Sequence, residues 1–430
     1  MTTEVEPIPA GQRTLGAAAF FFIWAGAGIS LAEVLAGGFL APAGLLVGIM
    51  ANLLGHLLGN TLLALGGVVG TDHGIPSMVS VRPSFGVRGS YLAAVVNVIQ
   101  LVGWTAVMLV VAAKSLNVLS LQLFGFSGYL TWVAVIGAAT TAWAWVGREG
   151  WRWLQPVVSG LLLALSLYVG YRILSTVGLS GLRAVNQGGG MSFGYATDLV
   201  IAMPLSWLPL VADYSRFGRS APGSFFGSWT GYFVSSFLMY ALGLTAALAT
   251  GTADIVGILT GLGMGAAALF IVAFSTLTTA FLDVYSSAVS TQNLFPHLRE
   301  RHLILAAGAI GTLVAAFFPI ERYESFLLFI GGVFVPLFGI VLSDYFLLRR
   351  RKLLVQELFG PGGAYWYVRG VNPIAMLAWV VGALIYYACT RIGFSMGASI
   401  PSLAVAGLIY VLGMARWASR LSAPAGSAAT

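Results

Sequence analysis

Charge is scarce in this chain, and the scarcity decides its class. Of 430 residues only 8% are Asp, Glu, Lys or Arg, while 58% are hydrophobic and mean hydropathy is +0.91. That composition excludes a water-soluble fold. Cysteine is rarer still. Cys389 stands alone in an apolar run, so neither a disulfide nor a thiolate metal site is available. HExxH and nucleotide-binding patterns are missing, and metal-ligating residues do not cluster. An intramembrane enzyme using Glu33, His56 and Asp283 as acid–base groups would need a catalytic motif that the chain lacks. No catalytic residue and no cofactor are therefore expected. A passive channel would need a continuous polar lining, whereas the polar residues here converge on one mid-membrane region.

Long apolar runs are what the chain has in plenty. A hydrocarbon core of roughly 30 Å takes about 20 helical residues to cross. Twelve runs qualify, near 17–38, 43–69, 90–113, 129–146, 154–174, 195–213, 224–249, 264–292, 303–318, 325–347, 372–390 and 398–415. The 55 glycines suit close helix contacts in lipid, where small residues let backbones approach. The net charge of +7 invites a nucleic-acid partner, but its placement argues for a lipid bilayer instead. With the N-terminus inside, only Lys114, Arg172, Arg183, Arg322 and Arg391 fall outside among the 21 basic residues. That is the positive-inside bias. It predicts a multi-pass protein of the cell inner (cytoplasmic) membrane with both termini cytoplasmic, and the first residues show no cleavable signal.

Two of the runs are interrupted at matching places. The first reads Phe22-Ile23-Trp24-Ala25-Gly26-Ala27-Gly28-Ile29-Ser30-Leu31-Ala32-Glu33 and the second Met203-Pro204-Leu205-Ser206-Trp207-Leu208-Pro209. Interruption in a membrane helix is tolerated only where protein or a watery cavity satisfies the backbone. Paired breaks in two related halves mark the midplane site of a secondary transporter. Runs one to five and six to ten have similar lengths, and an odd number per half turns the second half upside down. The expected fold is all-α: twelve transmembrane helices in a five-plus-five inverted repeat, LeuT-like, with helices 1 and 6 broken. Its expected parts are an N-terminal tail (1–14), a first repeat (15–176), a second repeat (190–348) and a basic cytoplasmic loop (349–371). Two further helices (372–417) and a C-terminal tail (418–430) follow.

Acids inside a membrane are costly and mark function or pairing. Glu33 lies a few residues past the first break and Asp283 within the eighth run; each is a ligand or proton contact, or a structural hydrogen-bond group. Asp213 and Asp344 sit near Arg216 and Arg349 at helix ends, as ion pairs do. Gln100 and Trp104 are four apart and share a helix face, so an indole can stack on a planar ring beside an amide that reads its edge. Trp207, in the second break, can cover the other side. Ser275, Thr278 and Thr279 bring hydroxyls which, with carbonyls at Gly26 and Ser30, form an oxygen cage for an alkali cation. His56 reads as a buried structural histidine or a proton relay.

Three stretches carry a family likeness: Arg82-Pro83-Ser84-Phe85-Gly86-Val87-Arg88-Gly89-Ser90, Ala212-Asp213-Tyr214-Ser215-Arg216-Phe217-Gly218-Arg219, and Ser343-Asp344-Tyr345-Phe346 before Arg349-Arg350-Arg351. In this order they resemble the nucleobase–cation symporters that include cytosine permease. The resemblance implies alternating access and sodium- or proton-coupled import of a small planar heterocycle. It carries the sodium site onto Gly26, Ser30, Ser275, Thr278 and Thr279, with a proton as the other possible coupling ion. The stacking tryptophan falls on Trp104, and further substrate contacts fall at Ser206 and Trp207. Ala280 stands where cytosine permeases carry asparagine, and Glu33 replaces a small polar residue. The stretches Ile29–Glu33 and Gln100–Met108 look most like the subfamily regarded as hydroxymethylpyrimidine permeases. A 4-aminopyrimidine would meet Glu33 or Gln100 with its amino edge, with Ser30 and Asp283 nearby. Cytosine or another nucleobase-like ring (purine, allantoin, hydantoin) is the alternative substrate.

Overall fold

Hydrocarbon offers no partner to a bare amide, so each apolar run closes its own hydrogen bonds as helix. The structure, a computed structural model, describes residues 6–146, 148–185, 189–295, 297–319 and 322–421. Within these, the side chains of 148–156, 255, 278 and 416–421 are not described. The helices in chain order are α1 (Ala17–Gly28), α2 (Leu31–Gly38), α3 (Leu45–His73), the short α4 (Ser77–Ser80) and α5 (Arg82–Phe85), and α6 (Gly89–Phe124). Next come α7 (Tyr129–Val146), α8 (Arg148–Thr176), α9 (Gly178–Val185), α10 (Phe193–Ser215), α11 (Ala221–Thr250) and α12 (Ile255–Gly261). The chain ends with α13 (Ala266–Leu294), α14 (Glu300–Phe317), α15 (Tyr323–Leu342, extended by a π-helical turn to Leu348), α16 (Pro373–Ile392) and α17 (Ser399–Leu421). Among the described residues ten helices are long and apolar enough to span a membrane, eleven when α1 and α2 count as one span. The apolar part of α17, Ser399–Ala415, is shorter.

The first interruption is a true break. α1 and α2 meet at 55°, and Ile29 and Ser30 leave the helical region, Ser30 at φ −141° and ψ 148°. The break falls just past the expected Gly26–Gly28, because Ser30 caps the new helix: its Oγ accepts from the Ala32 amide at 3.2 Å. The second interruption corrects the expectation. α10 runs as helix through Pro204 and Pro209. Each proline withholds one donor, from the carbonyls of Val200 and Leu205, without unwinding the chain. Membrane helices tolerate this where neighbours compensate.

The packing repeats itself in inverted order. α3 lies against α10, and α11 lies against α1 and α2; α6 crosses α13, α3 crosses α11 and α7 crosses α14, each pair its own image. Likewise α6 with α14 mirrors α13 with α7. This is the five-plus-five inverted repeat, LeuT-like, seen from inside. Glycines make its tightest seams. A methyl group on Gly59 of α3 would lie 2.3 Å from Pro204 Cγ, and one on Gly231 of α11 would lie 2.3 Å from the Phe21 carbonyl oxygen. The symmetry is broken most where α15 packs closely along α10, whereas among the described residues its counterpart α8 barely touches α1.

The Arg82-Pro83-Ser84-Phe85-Gly86 stretch is a clasp. Arg82 donates to the Leu358 carbonyl and to Asn293 Oδ1 at the end of α13, and the Pro83 carbonyl accepts from Tyr367 and Arg349. Asn372 donates to the Ser84 carbonyl. Gly86, at φ +90°, lies where a Cβ would meet the Gly370 carbonyl oxygen at 2.4 Å. The basic segment after α15 is thus tied down, with Arg349 on Asp344 at 2.6 Å, the expected ion pair, and Arg351 on Asp72 at 2.8 Å. Asp213 accepts from the Ser77 amide, and Arg216 donates to the Asp213 backbone carbonyl.

Candidate functional site

Where α2 leaves α1, the two helices face α6, α10 and α13 across a small cavity. Its wall comprises Ala27, Ser30, Ala32 and Glu33 from the broken helix and Leu101, Trp104 and Met108 from α6. Met203, Ser206, Trp207 and Leu210 come from α10, Thr279 and Asp283 from α13. All the expected substrate residues except Gln100 therefore converge on one space, although they come from four separate stretches of chain. The volume is about 20 Å³. That is room for roughly one water, so a ring must push these walls apart to enter.

Two tryptophans define the apolar part. Trp104 stands edge-on to Tyr323 at 5.7 Å and to Phe326 at 5.3 Å, and Tyr323 is itself fixed by a hydrogen bond to the Ala32 carbonyl. Trp207 stands edge-on to Trp24 at 5.9 Å. Such edge-to-face pairs hold ring orientation as well as burying area. Asp283 supplies the polar part. It is buried, it lines the cavity, and its carboxyl group receives no hydrogen bond from any described side chain.

Gln100 does not face the cavity. Its Nε2 donates to the Ser206 carbonyl at 2.8 Å and to Asn97 Oδ1 at 2.8 Å, and Asn97 in turn donates to Ser290. The amide fastens α6 to the proline-bearing helix instead of reading a ligand edge. Glu33 borders the cavity, but both its oxygens are engaged behind it: Oε1 accepts from Tyr232 at 2.5 Å, and Oε2 lies 2.8 Å from Ser236 Oγ. Ser236 also contacts His56. This cluster was not foreseen beyond Glu33 and His56. Its signal was Tyr232, Ser236 and Tyr240 recurring every fourth residue in an apolar run, which places them on one helix face.

Of the expected cation ligands, Ser30 and Thr279 line the cavity. Gly26 and Ser275 do not; Gly26 faces Ser159 of α8. The Thr278 side chain lies outside the described residues. At the break the Ser30 amide turns to the Gly28 carbonyl, which releases the Gly26 carbonyl from its helical donor. The hydroxyls of Ser275 and Thr279 donate to the backbone of their own helix. A second cavity, about 210 Å³, lies between the start of α1, the end of α10 and α13, lined by Ile23, Tyr214, Phe281 and Tyr285 among others.

A family model described as permease for cytosine/purines, uracil, thiamine and allantoin matches residues 7–420. The chain belongs to this permease family. It is a transporter, not an enzyme, and a multi-pass membrane protein of the nucleobase–cation symporter group. A cytosine permease of Escherichia coli strain K12 is 28% identical over 87% of this chain and 86% of its own length. A hydantoin permease of Microbacterium maritypicum is 24% identical over 81% of this chain and 74% of its own length. Among solved structures, the inward-facing conformation of Mhp1 superposes with a TM-score of 0.87 at 21% identity, covering 98% of this chain and 94% of that one. Mhp1 with bromovinylhydantoin bound gives 0.86 at the same identity, covering 98% and 96%. At that identity the match speaks for the fold.

Proposed function

We propose that this chain imports a small planar heterocycle bearing an amino donor, first hydroxymethylpyrimidine and second cytosine, by cation-coupled symport. The observation that carries this reading is the buried Asp283 carboxyl group, without a side-chain partner among the described residues, in a cavity walled by Trp104 and Trp207. An exocyclic amino group donates to a carboxyl oxygen of Asp283 while the ring lies against the indoles. Leaving a buried polar group unpaired costs about 1–3 kcal/mol, enough to set aminopyrimidines apart from rings that present only acceptors there. Ser30 and Ser206 complete the wall. The relatives bear on ring size and flatness, since their names cover cytosine and hydantoin.

Sodium is the proposed coupling ion, held by the released Gly26 carbonyl, Ser30, Ser275, Thr278 and Thr279. The proposed repeats are 15–176 and 190–348, with 349–371 and both tails on the cytoplasmic side of the inner membrane. The loose α1–α8 seam and the 210 Å³ cavity at that end form the exit path, while the tight α10–α15 seam closes the other end.

A thermal-shift panel on the detergent-solubilised protein tests the reading, using hydroxymethylpyrimidine, cytosine, uracil, allantoin and hydantoins, each with and without sodium. Stabilisation by the aminopyrimidines, stronger with sodium, is the expected result. Stabilisation by hydantoins or uracil alone would overturn the substrate assignment.

A further inference from the structure

Glu33, Ser236 and His56 come from α2, α11 and α3 and meet away from bulk water. Their hydrogen bonds can be counted. His56 Nδ1 sits 2.9 Å from the Asn52 carbonyl oxygen. A carbonyl only accepts, so Nδ1 carries a proton. His56 Nε2 lies 2.5 Å from Ser236 Oγ, and the same Oγ lies 2.8 Å from Glu33 Oε2. Ser236 has one proton to give and two neighbours that would need it if Glu33 were ionised and His56 neutral. One contact would then bring two acceptors together with nothing between them. The Tyr232 hydroxyl cannot help, because it is spent on Glu33 Oε1.

The geometry points to one extra proton held jointly by Glu33 and His56 through Ser236, beside the substrate cavity. Two arrangements satisfy every contact. In one, a neutral Glu33 carboxyl donates to Ser236, which donates to Nε2. In the other, a doubly protonated His56 donates to Ser236, which donates to the Glu33 carboxylate. Moving two protons along the chain interconverts them, and the total is the same. Glu33 faces Tyr232 and Ser236 of α11, Tyr323 of α15 and, across the cavity, Asp283 of α13; His56 faces Tyr240 of α11. Among the described residues none of these is a cation. The proton fastens α2, the outer piece of the broken helix, to α11 and α3. This count stands apart from the substrate reading and survives its failure.

The test uses the full-length protein in detergent. The chain has four histidines, so ¹⁵N-histidine spectra with His56→Gln for assignment report both ring nitrogens of His56. Infrared spectra of the wild type minus Glu33→Gln report a protonated carboxyl group at residue 33. Either a protonated Glu33 with neutral His56, or an ionised Glu33 with a doubly protonated His56, is the expected result at neutral pH. An ionised Glu33 together with a neutral His56 in the wild-type protein overturns the proposal. Stability provides an independent readout. Unfolded Glu and His have shed their protons above about pH 7, so a proton kept only by the folded protein makes stability fall as pH rises. Glu33→Gln supplies an amide donor to Ser236 without any extra proton. Its melting temperature is expected to lose the alkaline decline that the wild type shows in excess; equal declines in the two proteins count against the proposal.

Discussion

Gln100 Nε2 reaches the Ser206 carbonyl across 2.8 Å, so the helix that carries Trp104 is fastened to the helix that carries both prolines. The same amide proton pair also serves Asn97 Oδ1. Replacing Gln100 by Leu takes the donor from the buried Asn97 Oδ1 and is expected to cost about 1–3 kcal/mol of stability. Thermal or denaturant unfolding of the purified variant checks this. An unchanged midpoint would return Gln100 to the role of a ligand group.

Trp104 has few neighbours that would collapse into its place, because Tyr323 and Phe326 are themselves held edge-on. Trp104→Ala is therefore expected to abolish heterocycle binding while the protein still inserts and purifies as a single species. Equilibrium binding by calorimetry decides. Wild-type affinity in that variant would remove the stacking argument.

Asp283→Asn keeps the size of the side chain and replaces one acceptor by a donor. Affinity for aminopyrimidines is expected to fall by roughly ten- to a hundredfold, the equivalent of one buried polar group left unpaired. Affinity for rings with an acceptor at that edge should fall less. Competition binding with hydroxymethylpyrimidine and uracil measures the difference, and parallel losses would assign Asp283 to structure.

Thr279→Ala takes one oxygen from the proposed sodium cage without touching either tryptophan. The sodium concentration that gives half-maximal substrate binding is expected to rise several-fold. If binding ignores sodium in both proteins, the coupling ion is not held there.

Much of this architecture was legible in the chain because lipid leaves the backbone so few options. The apolar runs coincide with the helices to within a few residues at most ends, and the glycine richness reappears as seams such as Gly59 on Pro204 and Gly231 on Phe21. The site was half legible. Ser30 announces itself at a break, Asp283 by being polar in mid-membrane, and Trp104 and Trp207 by lying mid-run and between two prolines. Three features were hidden for physical reasons. Pro204 and Pro209 look like helix breakers, yet a helix packed this tightly absorbs two missing donors and stays wound. Gln100 shares a face with Trp104 one turn away, but the partners that turn it aside, Asn97 and the Ser206 carbonyl, depend on how α10 crosses α6. Glu33 has no companion nearby in sequence; Tyr232 and Ser236 lie about two hundred residues on and meet it only through the inverted packing of α11 against α2.

The account rests on the cavity between the broken helix and α6, α10 and α13 as the place where a planar ring is carried. Uptake of radiolabelled hydroxymethylpyrimidine into proteoliposomes, with an inward sodium gradient and then with the gradient collapsed, measures this directly. The expected result is accumulation above the outside concentration that needs the gradient and disappears in Trp104→Ala. Accumulation that Trp104→Ala leaves intact would contradict the account.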